Sequence, residues 1–451
     1  MIPLVNFSHL NHLTERISLD GETVSIVHAH ANHPKYEWSD TGDTGSEGIA
    51  SVDDAARAAV VYLRHFELTR NESSRKHARS LCAFVMKMQA DDGRFYNFIL
   101  PDHTINRTGR MSYKSFGWWA ARAVWCLSSA YRILKEKDHA FAERCRKSVA
   151  AALPHVDAIL EPYNRTIFRS GCWMPQWLLF TTGADATSEL MLGLIEYVRA
   201  SGDVRVKKQI EQIAEGLAMM QDGDWRRYPF GLHRSAETHW HARGNGQTEA
   251  LATVACHLNM PSLLRTPMLE AGSFFSRLII HGMMKETDAA KPSAKKTFEQ
   301  IAYDIRPAAV GLVRLYEAKN DTMYLKMAAL MASWFFGNNS AGEPMYDQTT
   351  GRCFDGILSQ HKINRNSGAE STIEALAVMV ELSHYPAFRK MLQYKRVDSY
   401  TIGQEEIGVF SHPGGTSGVF LLHPEGRNVR FIEGSEADRF LRKHPKPPVV
   451  S

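Results

Sequence analysis

The stretch His239-Trp240-His241-Ala242-Arg243-Gly244-Asn245-Gly246-Gln247-Thr248-Glu249 packs two histidines, a tryptophan, an arginine, an asparagine and two glycines into eleven residues. Ala250, Leu251, Val254 and Ala255 follow at helical spacing. A glycine-punctuated polar turn feeding a helix presents free backbone amides and first-turn side chains at the helix N-terminus, where polar or anionic ligands are favoured. Taken alone, such a turn reads equally well as a helix cap. The same form recurs five times, however. The other places are Ser51-Val52-Asp53-Asp54-Ala55-Ala56-Arg57, Ser115-Phe116-Gly117-Trp118-Trp119-Ala120-Ala121-Arg122, Ala184-Asp185-Ala186-Thr187-Ser188-Glu189, Ile305-Arg306-Pro307-Ala308-Ala309 and Ser367-Gly368-Ala369-Glu370-Ser371-Thr372. Measured between Ser51, Ser115, Ala184, Ala242, Ile305 and Ser367, the steps are 64, 69, 58, 63 and 62 residues. Each step holds two helices and two connections, and a near-constant period marks a repeat architecture. Six helical hairpins with small residues on alternate helices predict an all-α fold, an (α/α)6 toroid. Its small-residue helices pack inside, and their N-termini open around a central pocket.

The composition fits this reading. The chain has 451 residues, 44% apolar and 23% charged, with a formal net charge of +4. The repeat predicts one large toroid domain over residues 46–392, an N-terminal extension over 1–45 packed on the ring, and a small β-rich segment over 393–451. The charge is too small, and basic runs too short, for a nucleic-acid partner. No apolar run of about 20 residues is present to cross a bilayer. The N-terminus lacks a basic region followed by a long apolar one, as a signal peptide has. Six cysteines are scattered without a C-x-x-C pair, which fits buried thiols in a reducing compartment. A cytoplasmic protein with no membrane partner is expected.

Along the chain, Val24 to His30 reads as a strand or irregular segment, and Gly42 to Gly48 as a turn-rich loop. Asp53 and Asp54 open the first inner helix, where carboxylates suit the dipole and free amides. An outer helix is expected over Glu72 to Gln89. Asp91 to Phe98, Gln221 to Phe230 and Tyr346 to Gly356 share a turn-then-aromatic form and are expected as loops or short hairpins at the pocket face, where binding residues concentrate. Trp118 and Trp119 open the second inner helix, placed either to stack on a sugar or to pack in the core. Asp185 and Glu189, four apart, share a helix face. Residues 203–217 read as a solvated outer helix and 285–297 as an exposed connection. After Leu392 the helical period gives way to short strands, with a loose tail at Lys446-Pro447-Pro448.

No metal or cofactor signature is present. His239 and His241 are two apart, without an H-E-x-x-H or cysteine pair, and no P-loop, dinucleotide fingerprint or G-x-S-x-G elbow occurs. What remains is a set of carboxylates: Asp53, Asp54, Asp185, Glu189, Glu249, Asp355 and Glu370. Two carboxyl groups flanking a sugar bond suffice for glycoside hydrolysis. Asp185, with Asp53 or Asp54 and with Glu370 in reserve, are the expected catalytic groups. Arg243, His241, Asn245, Trp118, Trp119, Trp240 and Asp355 are the expected substrate-binding groups.

The hairpin toroid with Ala242-Arg243-Gly244-Asn245-Gly246 before its fourth inner helix resembles the unsaturated glucuronyl hydrolases and related rhamnogalacturonyl hydrolases. These hydrate the double bond of a terminal unsaturated uronic acid, with an aspartate as general acid and base. The resemblance implies that Arg243 and His241 contact substrate and that Asp185 is catalytic. Gln247 stands where that family has tryptophan, and Trp118 and Trp119 where it has an aspartate. Asn364 to Leu376, with Val52 to Ala58, is also similar to the helical toroid domains that accompany bacterial glycosyltransferases and mannoside phosphorylases. The N-acylglucosamine 2-epimerases share the toroid and work through paired histidines. The combined expectation is a carbohydrate-active enzyme, a glycoside hydrolase acting on oligosaccharides that include uronic acids. A sugar 2-epimerase and a non-catalytic glycan-binding partner of a glycosyltransferase are the alternatives.

Overall fold

A short helix, α1 (Ser8–His12), and a hairpin of strands Thr14–Leu19 and Glu22–Val27 begin the computed structural model, which describes residues 2–39 and 47–447. Most of the turn-rich loop expected over residues 42–48, and the tail from Pro448 onward, lie outside the described residues. Helices then follow in pairs: α2 (Val52–Thr69) and α3 (Glu72–Lys87), α4 (Trp118–Leu134) and α5 (His139–Leu160), α6 (Ala184–Ser201) and α7 (Val204–Met219). The fourth pair is α8 (Gln247–His257) with a segmented outer helix, α9 (Arg265–Glu270), a π-helical turn (Ala271–Phe275) and α10 (Ser276–His281). α11 (Ala302–Lys319) pairs with α12 (Thr322–Ala332), and α13 (Ala369–Ser383) is followed by the turn Pro386–Gln393.

The chain divides into two units. The first comprises Met1–Met219, Asp347–Asp355 and Asn364–Val380, and the second Met220–Tyr346, Gly356–Ile363 and Glu381–Ser451. Within the first unit the small residues do what their pattern predicted. α4 packs on both α2 and α6, and Ala55, Ala58 and Ala59 of α2 and Ala120, Ala121 and Ala123 of α4 are buried. At Gly193 a side chain would come within 2.6 Å of the Trp125 backbone nitrogen, so α6 can lie this close to α4 only with glycine there. Gly311 lets α11 lie close to the start of α8 in the second unit, where an added side-chain carbon would meet the Glu249 backbone nitrogen at a tight 3.1 Å.

The α4 helix begins at Trp118, as expected, after Ser115 is held in a backbone bridge with Phe95. α11 begins at Ala302, since Asp304 accepts the Ile301 backbone N–H at 2.8 Å and caps the helix there. The expected exposed connection over 285–297 is instead a hairpin. Strands Glu286–Asp288 and Lys291–Lys296 extend a sheet begun by His239–His241, although every residue of Lys291–Lys296 is solvent-exposed.

The β-rich C-terminal segment is a four-stranded antiparallel meander: Lys395–Ile402, Glu405–Ser411, Ser417–His423 and Asn428–Glu433. Its alternate residues Ile407, Val409, Val419, Leu421 and Ile432 form one apolar face. A helix unforeseen in the sequence, α14 (Ser435–Lys443), covers that face with Ala437, Phe440 and Leu441. All six cysteines are free; Cys82, Cys126, Cys145 and Cys353 are buried, while Cys256 is exposed. Among the described residues no helix is long and apolar enough to cross a membrane.

Candidate active site

In the first unit α2, α4 and the start of α13 bring carboxylates and arginines together. Ser51 caps α2, accepting the Asp54 N–H and donating its hydroxyl to Asp54 Oδ2 at 2.8 Å. The other Asp54 oxygen takes Arg57 Nη2 at 2.9 Å. Arg57 Nη1 reaches Glu374 at 2.7 Å and lies 3.5 Å from Glu370. Burial raises the Asp54 carboxyl above its ordinary value; Arg57 opposes the shift, and Asp53 and Glu370 add to it. Arg57 and Glu374 are almost inaccessible, whereas the Glu370 side chain is 46% exposed. Asp54, Arg57 and Glu374 therefore hold neighbouring helices together, and Glu370 stands at the edge of that lattice.

Asp53 is placed differently. Its Oδ2 accepts Arg122 Nη1 at 2.7 Å, and the side chain stays 25% exposed. Its Oδ1 has no hydrogen-bond partner among the described residues. The Arg122 guanidinium also lies 5.2 Å from the centre of the half-buried Trp118 ring. Cation, carboxylate and indole thus form one group at the first turns of α2 and α4.

Asp355 lies at the start of α13. Its Oδ1 accepts the Gly368 N–H at 2.8 Å and the Ser371 hydroxyl at 2.7 Å. Burial raises its pKa against these two bonds; Glu370 raises it further, and His30 opposes. His30 Nε2 is buried without a partner among the described residues. Burial thus favours the protonated form of Asp355, which the sequence offered as a binding group.

The remaining expected residues fall into two groups. Asp185 and Glu189 do share a face of α6, but both are buried, and Asp185 Oδ1 accepts the Ala186 N–H at 2.7 Å. Trp119 is buried, with its indole N–H donated to the Phe95 carbonyl at 2.6 Å. It is a core residue, unlike Trp118.

The stretch over 239–249 belongs to the second unit. His239–His241 is a strand, Ala242–Gly244 a 3-10 turn, and α8 begins at Gln247. Trp240 is fully buried, its ring edge-on to Phe274 at 5.0 Å. Its place in the core rules out stacking on a substrate. Asn245 is 1% exposed, with neither side-chain polar atom paired among the described residues. Glu249 pairs with Arg306 at 3.0 Å. His239 and His241 rings are 5.6 Å apart, and burial lowers the His239 pKa. Arg243 is half-buried and has no ion-pair partner among the described residues.

Arg57, Arg122 and His30 were not singled out from the sequence. A signal existed for the arginines, since one follows the small residues in Ser51–Arg57 and again in Ser115–Arg122, one helical turn beyond the cap. Nothing local marks His30, whose significance comes only from the approach of Asp355.

No family model matches the sequence, and no curated protein matches it. Solved structures do. A cellobiose 2-epimerase from Bacillus thermoamylovorans superposes with a TM-score of 0.59 at 9% identity, covering 84% of this chain and 96% of that one. A sugar epimerase from a ruminal bacterium gives 0.56 at 12% identity, covering 83% and 94%. A D-mannose isomerase gives 0.52 at 10% identity, covering 78% and 93%. These likenesses show the fold. The chain has the all-α, (α/α)6 toroid class that its repeat predicted, with a small β-rich C-terminal segment.

Proposed function

We propose that the protein is a carbohydrate-active enzyme that moves protons to and from a sugar at the carboxylate–arginine cluster of its first unit, and that its reaction is hydrolysis of a glycosidic bond. One observation carries this reading: two carboxyl groups of the unit sit in opposite surroundings. Burial raises the Asp355 pKa, while Asp53 is held by a guanidinium and keeps an oxygen without a partner among the described residues. One carboxyl favoured in its acid form by burial and another paired with a cation can serve as acid and base. Protonated Asp355 gives its proton to the leaving oxygen as the glycosidic C–O bond breaks. Asp53, as carboxylate, either takes a proton from the attacking water or itself attacks the anomeric carbon. Asp53 is preferred to Asp185 because its side chain is 25% exposed, whereas Asp185 is buried. Glu370, half-exposed beside Arg57, stands ready to accept a sugar hydroxyl. Trp118 offers its face to a sugar ring, and Arg122 favours an acidic substituent.

A second reading is epimerisation or isomerisation at the carbon beside the sugar carbonyl. The three solved structures above are sugar epimerases and an isomerase by name. His30, with its buried Nε2, would serve as the base.

A product assay tests both. Purified protein is incubated with oligosaccharides, saturated or unsaturated at the non-reducing end, and the products are separated by chromatography. Shortened chains support hydrolysis. A change confined to the reducing-end sugar, at constant chain length, supports the second reading. No product from either class removes the catalytic proposal.

A further inference from the structure

We infer that the second unit carries a binding site of its own for an acidic oligosaccharide, in a cavity of about 720 Å³ between the loop over 223–226, the α9 segment with its π-helical turn, the start of α12 and the hairpin turn over 424–429. All its lining residues belong to the second unit. The volume lies within the range of small-molecule sites, roughly 300–1,000 Å³.

The cavity has a fixed aromatic wall. Trp225 is half-buried, and its indole lies over Gly272, where a side chain would come within 2.3 Å of the ring. The Trp225 carbonyl accepts Arg277 Nη2 at 3.1 Å. Arg277 is itself held by Glu406 at 2.6 Å and lies 3.8 Å from the centre of the Phe230 ring. The loop before Trp225 is equally constrained. Asp224 Oδ1 accepts the Arg226 and Arg227 N–H groups at 2.9 Å each, and its Oδ2 takes Arg227 Nε at 2.6 Å.

The charges around this wall are unbalanced in what they have left to bind. Asp224 is engaged as described, and Asp321 caps α12 by accepting the Met323 N–H at 2.9 Å. Arg226, Arg265 and Arg427 also line the cavity, and none of their guanidinium groups has a hydrogen-bond or ion-pair partner among the described residues. Three free guanidinium groups therefore face one disengaged carboxylate, Glu425. Guanidinium forks bind carboxylate bidentately, an indole face accepts a sugar ring, and Glu425 accepts hydroxyls. Those requirements together describe a carboxylated sugar chain better than a neutral one or a bare anion.

The test is calorimetric titration of the full chain with a short oligogalacturonate and with a neutral oligosaccharide of equal length. The acidic chain is expected to bind and the neutral one to bind at least tenfold more weakly. In the double variant Arg265→Gln/Arg427→Gln, binding at this site weakens about tenfold or more and one bound equivalent is lost. Both side chains are exposed, so the variant's thermal midpoint and its turnover of a small substrate stay those of the parent. Trp225→Ala is expected to lose the same equivalent. Retention of every bound equivalent in the double arginine variant overturns the inference. So does equal affinity for the neutral chain, or equally tight binding of inorganic phosphate or ATP in competition.

Discussion

Two polar turns that read alike in the sequence end in opposite environments. Ser51–Arg57 feeds α2 directly, so its acids occupy the first helical turn, bonded to arginines from α2 and α4, with Asp53 still partly open. His239–Glu249 passes through a strand and a 3-10 turn before α8 starts, and its polar side chains after Arg243 are drawn inward. Trp240, Asn245, Gln247 and Glu249 are all buried. A polar, glycine-bearing turn thus announces a helix start without saying which way its side chains face. What distinguishes the two is the length of backbone between strand and helix.

The largest effect expected from this contrast is on stability. Arg57→Ala removes the cation shared by Asp54, Glu374 and Glu370 and leaves buried carboxylates without it, a loss of about 3–5 kcal/mol. Arg243→Ala, at an arginine with no ion-pair partner among the described residues, changes stability by no more than about 0.5 kcal/mol. Urea denaturation of the two variants measures both. Equal losses would erase the distinction between a scaffold arginine and a disengaged one.

Next in size is an effect on turnover. Asp355→Asn keeps a group able to accept the Gly368 and Ser371 hydrogen bonds but has no proton to give. A fall in kcat of about 10²–10⁴ is expected, with the thermal midpoint little changed. In the parent, activity falls as pH rises through the raised Asp355 pKa, because the acid form is lost. That alkaline limb disappears in the residual activity of the variant. A limb that survives the substitution assigns the acid elsewhere.

A smaller effect separates the acids of the first unit from its buried histidine. His9 donates from Nε2 to the Ser367 carbonyl at 2.9 Å, and burial lowers its pKa to about 4. The unfolded chain takes up this proton near pH 6.5, above the folded value, so acidification favours unfolding. The His9 contribution is complete above about pH 6.5 and is lost as pH falls to about 4. Asp355 acts with the opposite sign, because its raised pKa favours the folded state at low pH and that contribution fades as pH rises through it. Thermal midpoints of His9→Gln across pH 4–7 should show a flatter acid limb than the parent, and an unchanged slope would remove His9 from the balance.

The fold was legible because alanine and glycine recur at a period that only paired helices satisfy. Gly193 and Gly311 make that reason concrete. The C-terminal strands were legible from alternation, as in Ile407 and Val409. The helix that covers them was not, since Ser435–Lys443 is largely charged and its apolar face consists of Ala437, Phe440 and Leu441. Of the candidate site, Asp53, Asp54, Asp355, Glu370 and Trp118 could be named from their turns. Their division into scaffold and open groups depended on arginines arriving from other helices, and Arg122 is 69 residues from Asp53 in the sequence. Trp118 and Trp119 are neighbours in the chain, yet one lies beside Arg122 and the other is sealed against Phe95, a difference set by helix rotation.

The finest test of the comparison is Asp185→Asn. The resemblance to the unsaturated glucuronyl hydrolases makes Asp185 the acid–base group, so that this change alone would abolish turnover. Its position in α6 argues otherwise. Asp185 Oδ1 accepts the Ala186 N–H, a bond that asparagine keeps, and the side chain is more buried than that of Asp53. With Asp53 and Asp355 as the pair, kcat should fall by less than about tenfold, a loss of under 1.4 kcal/mol in transition-state stabilisation. A fall as deep as that of Asp355→Asn would return the chemistry to α6 and make Asp53 a companion of Arg122 in the scaffold.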